Sequence, residues 1–172
     1  MTASLHLRPV GPFDLQLLAA LHAGCFTADW DQAWSADSFA NLLAMPGAAG
    51  LLLSTAAPPE PGRQEAEQGS GEPLGFVLTR SVLDEMEIIL LAIRPDHRGQ
   101  GLGRSLAESV IDQAAKASMR TLFLEYAAPN LAAGRLYRRV GFEQVGLRRN
   151  YYRGARGSAA DAVTMRLELE VD

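Results

Sequence analysis

Glu87-Ile88-Ile89-Leu90-Leu91-Ala92-Ile93, then Arg94-Pro95-Asp96-His97, then Arg98-Gly99-Gln100-Gly101-Leu102-Gly103-Arg104, runs from an apolar segment into a glycine-rich turn. The apolar segment has the length of a strand. It stops at Pro95, which fixes its own φ and removes a backbone donor. Beyond the glycines, Leu102, Leu106, Val110 and Ala114 recur every four residues with Ala107, Ile111 and Ala115 beside them, so the spacing predicts a helix over 102–117 with one buried face. The glycines therefore fall at a helix N-terminus. There the alternating glycines bare the backbone, the first-turn N–H groups lack intrahelical acceptors, and the helix dipole favours an anion. With Arg98 and Arg104 adding positive charge, the turn is expected to hold the diphosphate of a nucleotide-bearing cofactor. A dinucleotide fold needs G-x-G-x-x-G and a P-loop needs a terminal Gly-Lys-Ser/Thr, and this turn has neither spacing.

Upstream, Leu5 and Leu7 mark a first strand, and Pro12 opens a helix carrying Leu15, Leu18 and Leu21. Ser35 is placed to N-cap a short helix with Phe39, Leu42 and Leu43, closed by Pro46-Gly47. Leu51–Leu53 and Leu74–Val82 read as paired strands. The segment 54–73 between them holds four prolines, three glycines, four glutamates and no aromatic residue, which predicts a mobile hairpin loop. Downstream, a strand is expected over 121–126, a helix over 130–140, and strands near 142–149 and 162–170. In the last of these Val163, Met165, Leu167 and Leu169 alternate with Thr164, Arg166 and Glu168, the pattern of a half-buried antiparallel strand. The strand, helix and strand over 87–126 should instead form a parallel crossover. A mixed sheet in one domain, residues 1–172, is the expected organisation.

The chain has 172 residues, 48% of them hydrophobic, enough to fill a core. A net charge of −4 argues against a general nucleic-acid binder, and no specific nucleic-acid partner is expected. Charge is uneven, with seven arginines and one acid over Arg135–Arg156 and three acids over the four positions Asp84–Glu87. Cys25 is the sole cysteine, so no internal disulfide can form, and the cytoplasm is the expected compartment. Thr2–Val10 does not read as a signal peptide and no apolar run reaches membrane-spanning length, so no membrane partner is expected. His6, His22 and His97 lie far apart, and without an H-E-x-x-H or Cys/His pair no metal is expected. His22 is assigned to the surface or the core edge, and Cys25 to a small buried apolar position.

R-G-Q-G-L-G-R after a hydrophobic strand resembles the acetyl-CoA pyrophosphate loop of the GNAT family of N-acetyltransferases, whose pattern is Arg/Gln-x-x-Gly-x-Gly/Ala. A second block, Leu122-Phe123-Leu124-Glu125-Tyr126, then Asn130, Ala133, Leu136-Tyr137 and Gly141-Phe142, resembles that family's L-x-L-E-V…N…A…L-Y…G-F segment in order and spacing. The resemblance implies an α/β acyl-CoA N-acyltransferase fold, a GNAT-type mixed central sheet whose two parallel strands splay apart, flanked by helices. It implies acetyl-CoA as co-substrate, with Arg98, Gly99, Gln100, Gly101, Leu102, Gly103 and Arg104 around the pyrophosphate and the backbone of Leu91, Ala92 and Ile93 along the pantetheine. Asn130 matches a cofactor-contacting position, and Arg139 is a candidate for the 3′-phosphate of CoA. By the same resemblance Glu125 is the base and Tyr137 the acid that protonates the departing thiolate.

Within the family, Val82-Leu83-Asp84-Glu85, Arg148-Arg149-Asn150-Tyr151-Tyr152 and Asp161-Ala162-Val163 with Met165 resemble the branch that acetylates the N-terminal alanine of a small-subunit ribosomal protein. That partner is the expected acceptor. Three departures stand out: Tyr126 where the family usually has Val, Pro129 before Asn130, and Leu90-Leu91 in place of a more polar pair. Glu87 is a competing base, because other branches carry a glutamate on the strand before the loop. Two alternatives remain beside N-terminal acetylation: a small-molecule amine or lysine acetyltransferase of the same fold, and a non-catalytic acyl-CoA-binding module. R-R-N-Y-Y favours the N-terminal acceptor over the first, and the intact Glu125 and Tyr137 pair argues against the second. Amine chemistry leans the same way, since an α-amine has a pKa of about 7.7 to 8.0 and a lysine about 10.4, leaving more free base of the α-amine at neutral pH.

Overall fold

The computed structural model describes residues 4–28, 31–56, 71–154 and 157–170. Its strands β1 (Leu5–Pro9), β2 (Ala48–Thr55), β3 (Pro73–Val82), β4 (Glu85–Ile93), β5 (Thr121–Ala127), β6 (Glu143–Arg153) and β7 (Ala159–Glu168) form one mixed sheet in the order β1-β2-β3-β4-β5-β7-β6. Helices α1 (Leu15–Cys25), α2 (Ala36–Leu43), α3 (Leu102–Lys116) and α4 (Leu131–Arg139) cover its two faces. On one face Leu106 and Val110 of α3 and Tyr137 of α4 pack on Met86, Ile88, Leu122, Leu124, Val163 and Met165. On the other, Leu18 and Leu21 of α1 and Phe39 of α2 pack on Leu52, Phe76, Leu78 and Ala92.

A bulge in the sheet opens the site. Leu78 pairs with Leu90 but Thr79 pairs with Ile88, which leaves Ile89 as an extra residue in β4. Such an insertion bends and twists the strand. From that point β4 leaves β5: the parallel pairing joins Glu85–Ile88 to Thr121–Leu124 and stops. The splay implied by the family resemblance is therefore present. The bulge also explains why β4 reads as continuously apolar. Met86 and Ile88 before it, and Leu91 and Ile93 after it, face the α3 side, while Leu90 and Ala92 face α1.

Element boundaries differ modestly from those expected. The anticipated loop over 54–73 is shorter at both ends, because Ser54 and Thr55 extend β2, Pro73 begins β3, and Thr55 N–H donates to Glu72 O at 2.9 Å. Its interior, 57–70, lies outside the described residues. β6 runs on to Arg153 because the R-R-N-Y-Y segment continues the edge strand through a second irregularity. Ser35 caps α2 as expected, its Oγ accepting from Ser38 N–H at 3.2 Å.

Tyr126 is accommodated by a glycine. A Cβ placed on Gly134, in the buried face of α4, would lie 2.6 Å from Tyr126 Oη. Gly inside a helix costs about 1 kcal/mol relative to Ala, so the close approach of Tyr126 accounts for its use here. Gly134→Ala is expected to destabilise the protein by about 1–3 kcal/mol, the scale of overpacking. Adding Tyr126→Val should restore most of that loss, read by denaturant unfolding of both single variants and the double variant. Additive losses would remove the steric explanation.

His22 is a core residue, 2% exposed, stacked on Phe26 at 4.5 Å and Trp34 at 5.7 Å between ring centroids. Burial pushes its pKa below the ordinary imidazole value, with the Asp31 carboxylate opposing. The unfolded chain therefore takes up the proton first, and stability falls as pH drops below about 6.5, until the folded state also protonates. His22→Phe keeps the stack and removes this term. Between pH 7.5 and pH 5.5 its melting temperature should fall less than that of the wild type, and equal falls would exclude the His22 contribution.

Candidate active site

The glycine loop has the geometry of an anion cradle. Gly99 and Gly101 have φ of 77° and 84°, the left-handed region that favours glycine, and the space a Cβ would take at either is open. Gly101 is the N-cap of α3, and the first α3 amide with a backbone acceptor is Ser105, donating to Gly101 O at 3.0 Å. The amides of Leu102, Gly103 and Arg104 are thus left pointing out of the helix end. Leu102 itself is buried, so its side chain anchors the helix to the core while its backbone faces the loop. Gly99, Gln100 and Gly101 are exposed.

The two arginines of the loop are engaged differently from a pair of free charges. Arg98 Nε donates to Ile93 O at 3.0 Å and its Nη2 to Cys25 O at 2.9 Å, so its guanidinium ties the end of β4 to the end of α1 from behind the loop. Of the backbone groups assigned to pantetheine, the Ile93 carbonyl is consequently taken. Leu91, Ala92 and Ile93 pair with Val77, Phe76 and Gly75 on the β3 side, while on the β5 side the strand has parted. Arg104 forms an exposed i,i+4 pair with Glu108 at 2.7 Å. Asn130 N-caps α4, its Oδ1 accepting from Ala133 N–H at 3.1 Å, and Arg139 is exposed in the last turn of the same helix, away from Asn130.

Glu125, Thr164 and Arg148 converge from three strands. Glu125 pairs with Thr164 across β5 and β7, and Thr164 Oγ1 donates to Glu125 Oε1 at 3.0 Å. Gly146 of β6 stands opposite Thr164 and adds no side chain to that row. From the next position on the same face, Arg148 Nη1 reaches both Glu125 oxygens at 3.2 Å, with its guanidinium 3.8 Å above the Tyr151 ring. Tyr152 completes the group. Burial raises its pKa, and the charges of Glu125, Tyr151 and Asp31 act in the same direction against Arg148. Glu87 is exposed on the same face of the sheet, one strand away from Glu125.

Tyr137 is buried on the α3 and α4 face of the sheet, its ring 6.2 Å from Tyr126 and 5.8 Å from Phe142, whereas Glu125, flanked in β5 by Leu124 and Tyr126, projects from the opposite face. Burial, with Tyr152 nearby, pushes its phenol well above the ordinary value, so it holds its proton throughout the physiological range. Sequence alone points to Glu125 and Tyr137, whereas Arg148 enters only as part of R-R-N-Y-Y and Thr164 only as a polar position of the last strand. The signal for both was the co-occurrence of R-R-N-Y-Y and D-A-V-x-M. The structure joins these two motifs, as Asn150 N–H donates to Asp161 Oδ1 at 2.8 Å. Elsewhere Glu72, Asp96 and His97 also converge, but the Arg94 guanidinium bridges the two carboxylates.

With this geometry in place, residues 15–142 match the model of the acetyltransferase (GNAT) family. The chain belongs to the GNAT family. Like other members it is an N-acetyltransferase that uses acetyl-CoA, and the open glycine loop and the β4–β5 splay fit that co-substrate. Among GNAT relatives, it is 41% identical over 102 residues to the [ribosomal protein bS18]-alanine N-acetyltransferase of Escherichia coli K12, covering 59% of this chain and 68% of that protein. The crystal structure of the E. coli ribosomal-protein-S18-alanine N-acetyltransferase superimposes with a TM-score of 0.79 at 30% identity, over 98% of this chain and 96% of that one. Arabidopsis thaliana NAA60 in complex with acetyl-CoA shares the GNAT fold at a TM-score of 0.78 and 20% identity, over 96% and 99% of the two chains. Among the described residues no helix is long and apolar enough to cross a membrane.

Proposed function

We propose that this GNAT enzyme acetylates the N-terminal α-amine of a ribosomal protein, with alanine at the acceptor position. The observation that carries the reading is the 41% identity to a bS18-alanine N-acetyltransferase, supported by near-complete structural coverage of the E. coli enzyme. The backbone of 99–104 would hold the pyrophosphate, and the backbone of β4 beyond Ile89 would line the pantetheine arm. Acetyl-CoA supplies the acetyl group as a thioester. Glu125 takes the proton of the attacking amine, directly or through water, and Tyr137 holds the proton for the departing thiolate. Asn130 and Arg139 are the proposed side-chain contacts to the cofactor, and Arg98 supports it by fixing the end of β4.

Glu125 is preferred over Glu87 as the base because it is half-buried and held by Thr164 and Arg148, whereas Glu87 is exposed. The test is acetyl transfer from labelled acetyl-CoA to a peptide with a free N-terminal alanine. The same peptide with a blocked terminus and one internal lysine, and spermidine, serve as competing acceptors. Transfer confined to the free terminus is expected. Transfer chiefly to lysine or spermidine would overturn the acceptor assignment and leave the acetyltransferase chemistry in place.

A further inference from the structure

We propose that Arg148 is a specificity-determining residue that admits peptide N-termini to the acceptor site and turns away lysine side chains and polyamines. The inference rests on the acceptor reading above and deepens it. Its basis is that the base carries a cation partner before any acceptor arrives: Arg148 Nη1 lies 3.2 Å from both oxygens of Glu125. A guanidinium on a carboxylate cancels most of the field that would draw an ammonium ion into the site. It also hydrogen-bonds both carboxylate oxygens, so an arriving ammonium meets oxygens that already have a cationic donor.

The fold sets Arg148 in that position. Arg148 pairs with Ala162 and Tyr152 with Ala160, so Arg149, Asn150 and Tyr151 stand opposite Asp161 alone as an enlarged bulge. Asn150 takes a φ of 51°, and its N–H is held by Asp161 Oδ1 at 2.8 Å. Asp161 also accepts at its backbone oxygen from Ala128 N–H at 2.8 Å, which ties the bulge to the end of β5 just after Glu125. Tyr151, turned over the guanidinium at 3.8 Å, fixes its plane. Gly146 leaves the row beside Thr164 clear for the arginine stem.

Two consequences follow for acceptors. An α-amine, with a pKa of about 7.7 to 8.0, reaches the site as free base often enough to need only weak proton acceptance, whereas a lysine or polyamine amine near 10.4 must be deprotonated by the site. A polyamine also carries a second ammonium, which meets the Arg148 charge, and such like-charge juxtaposition is a common means of rejecting wrong partners. Without Arg148, Glu125 would be an uncompensated carboxylate open to any amine cation.

The experiment compares wild type, Arg148→Gln, Arg148→Lys and Asp161→Ala in the full chain. Each is assayed for kcat and KM on the alanine-led peptide, on the N-blocked lysine peptide and on spermidine, with acetyl-CoA affinity measured as a check on the fold. In Arg148→Gln the ratio of kcat/KM for peptide over spermidine is expected to fall about tenfold or more, chiefly through a lower spermidine KM. Arg148→Lys keeps the cation and should keep most of the ratio. Asp161→Ala retains the arginine but frees its bulge, so the ratio should move in the same direction by a smaller factor. If Arg148→Gln and Asp161→Ala depress all three acceptors equally and leave the ratio unchanged, the proposal is overturned. Should Arg148→Gln not fold, Asp161→Ala decides by the same ratio. A wild type that prefers spermidine would instead sink the acceptor reading, a result separate from any effect of the substitutions.

Discussion

Gly101→Glu is expected to abolish measurable acetyl-CoA binding by a protein that still folds. Two separable costs meet at this position. The first is conformational: Gly101 has a φ of 84°, and a side chain there pays about 1–2 kcal/mol in the left-handed region. No neighbouring atom lies within 4 Å of the Cβ position, so this cost falls on the loop without a clash in the core. The second cost appears only with the ligand. A carboxylate beside the exposed amides of α3 would occupy the anion cradle and repel the diphosphate, a like-charge contact costing several kcal/mol and so at least about a hundredfold in affinity. Gly101→Asn separates the two, because Asn tolerates this backbone region and brings no charge. Calorimetric titration should therefore show near-normal binding for Gly101→Asn and none for Gly101→Glu, with both melting within a few degrees of wild type. Unchanged affinity in Gly101→Glu would remove the loop from the cofactor site.

The elements of the fold were legible because each carries a strong periodic pattern. The four-residue spacing from Leu102 predicts a helix within one residue of that observed, and the alternation from Val163 to Leu169 predicts a strand whose start is three residues late and whose end is two residues late. The Ile89 bulge was hidden for a physical reason. In a run of uniformly apolar residues, an extra residue that exchanges the two faces leaves no mark, since both faces of β4 beyond it are covered. Side-chain partnerships across the sheet were hidden for another. Arg148 and Glu125 are 23 residues apart and meet only because β7 inserts between β5 and β6. Nothing local to either residue reports that order. Arg98 is a third case: its position next to the glycines suggested a ligand contact, whereas its hydrogen bonds go to main-chain carbonyls 5 and 73 residues away.

Tyr137→Phe is expected to lower kcat by about a hundredfold or more while leaving acetyl-CoA affinity and stability nearly unchanged. Removal of a general acid costs on the order of 10²–10⁴ in rate, and the phenylalanine ring can keep the contacts with Tyr126 and Phe142 that hold α4 on the sheet. A loss in kcat without a loss in binding is what a proton needed only by the leaving group predicts. The raised phenol adds a second mark. Burial beside Tyr152 moves Tyr137 above the ordinary phenol value near 10, so its protonated form persists to higher pH than a free tyrosine would allow. A basic limb from Tyr137 should accordingly be absent from the wild-type kcat profile up to about pH 10. The rate of Tyr137→Phe should instead depend on the supply of protons from solvent, falling as pH rises. A Phe variant at full rate would return the role to water or to Tyr152, the neighbouring hydroxyl. In that event Tyr152→Phe should show the deficit, and the α4 tyrosine would be left as a packing residue.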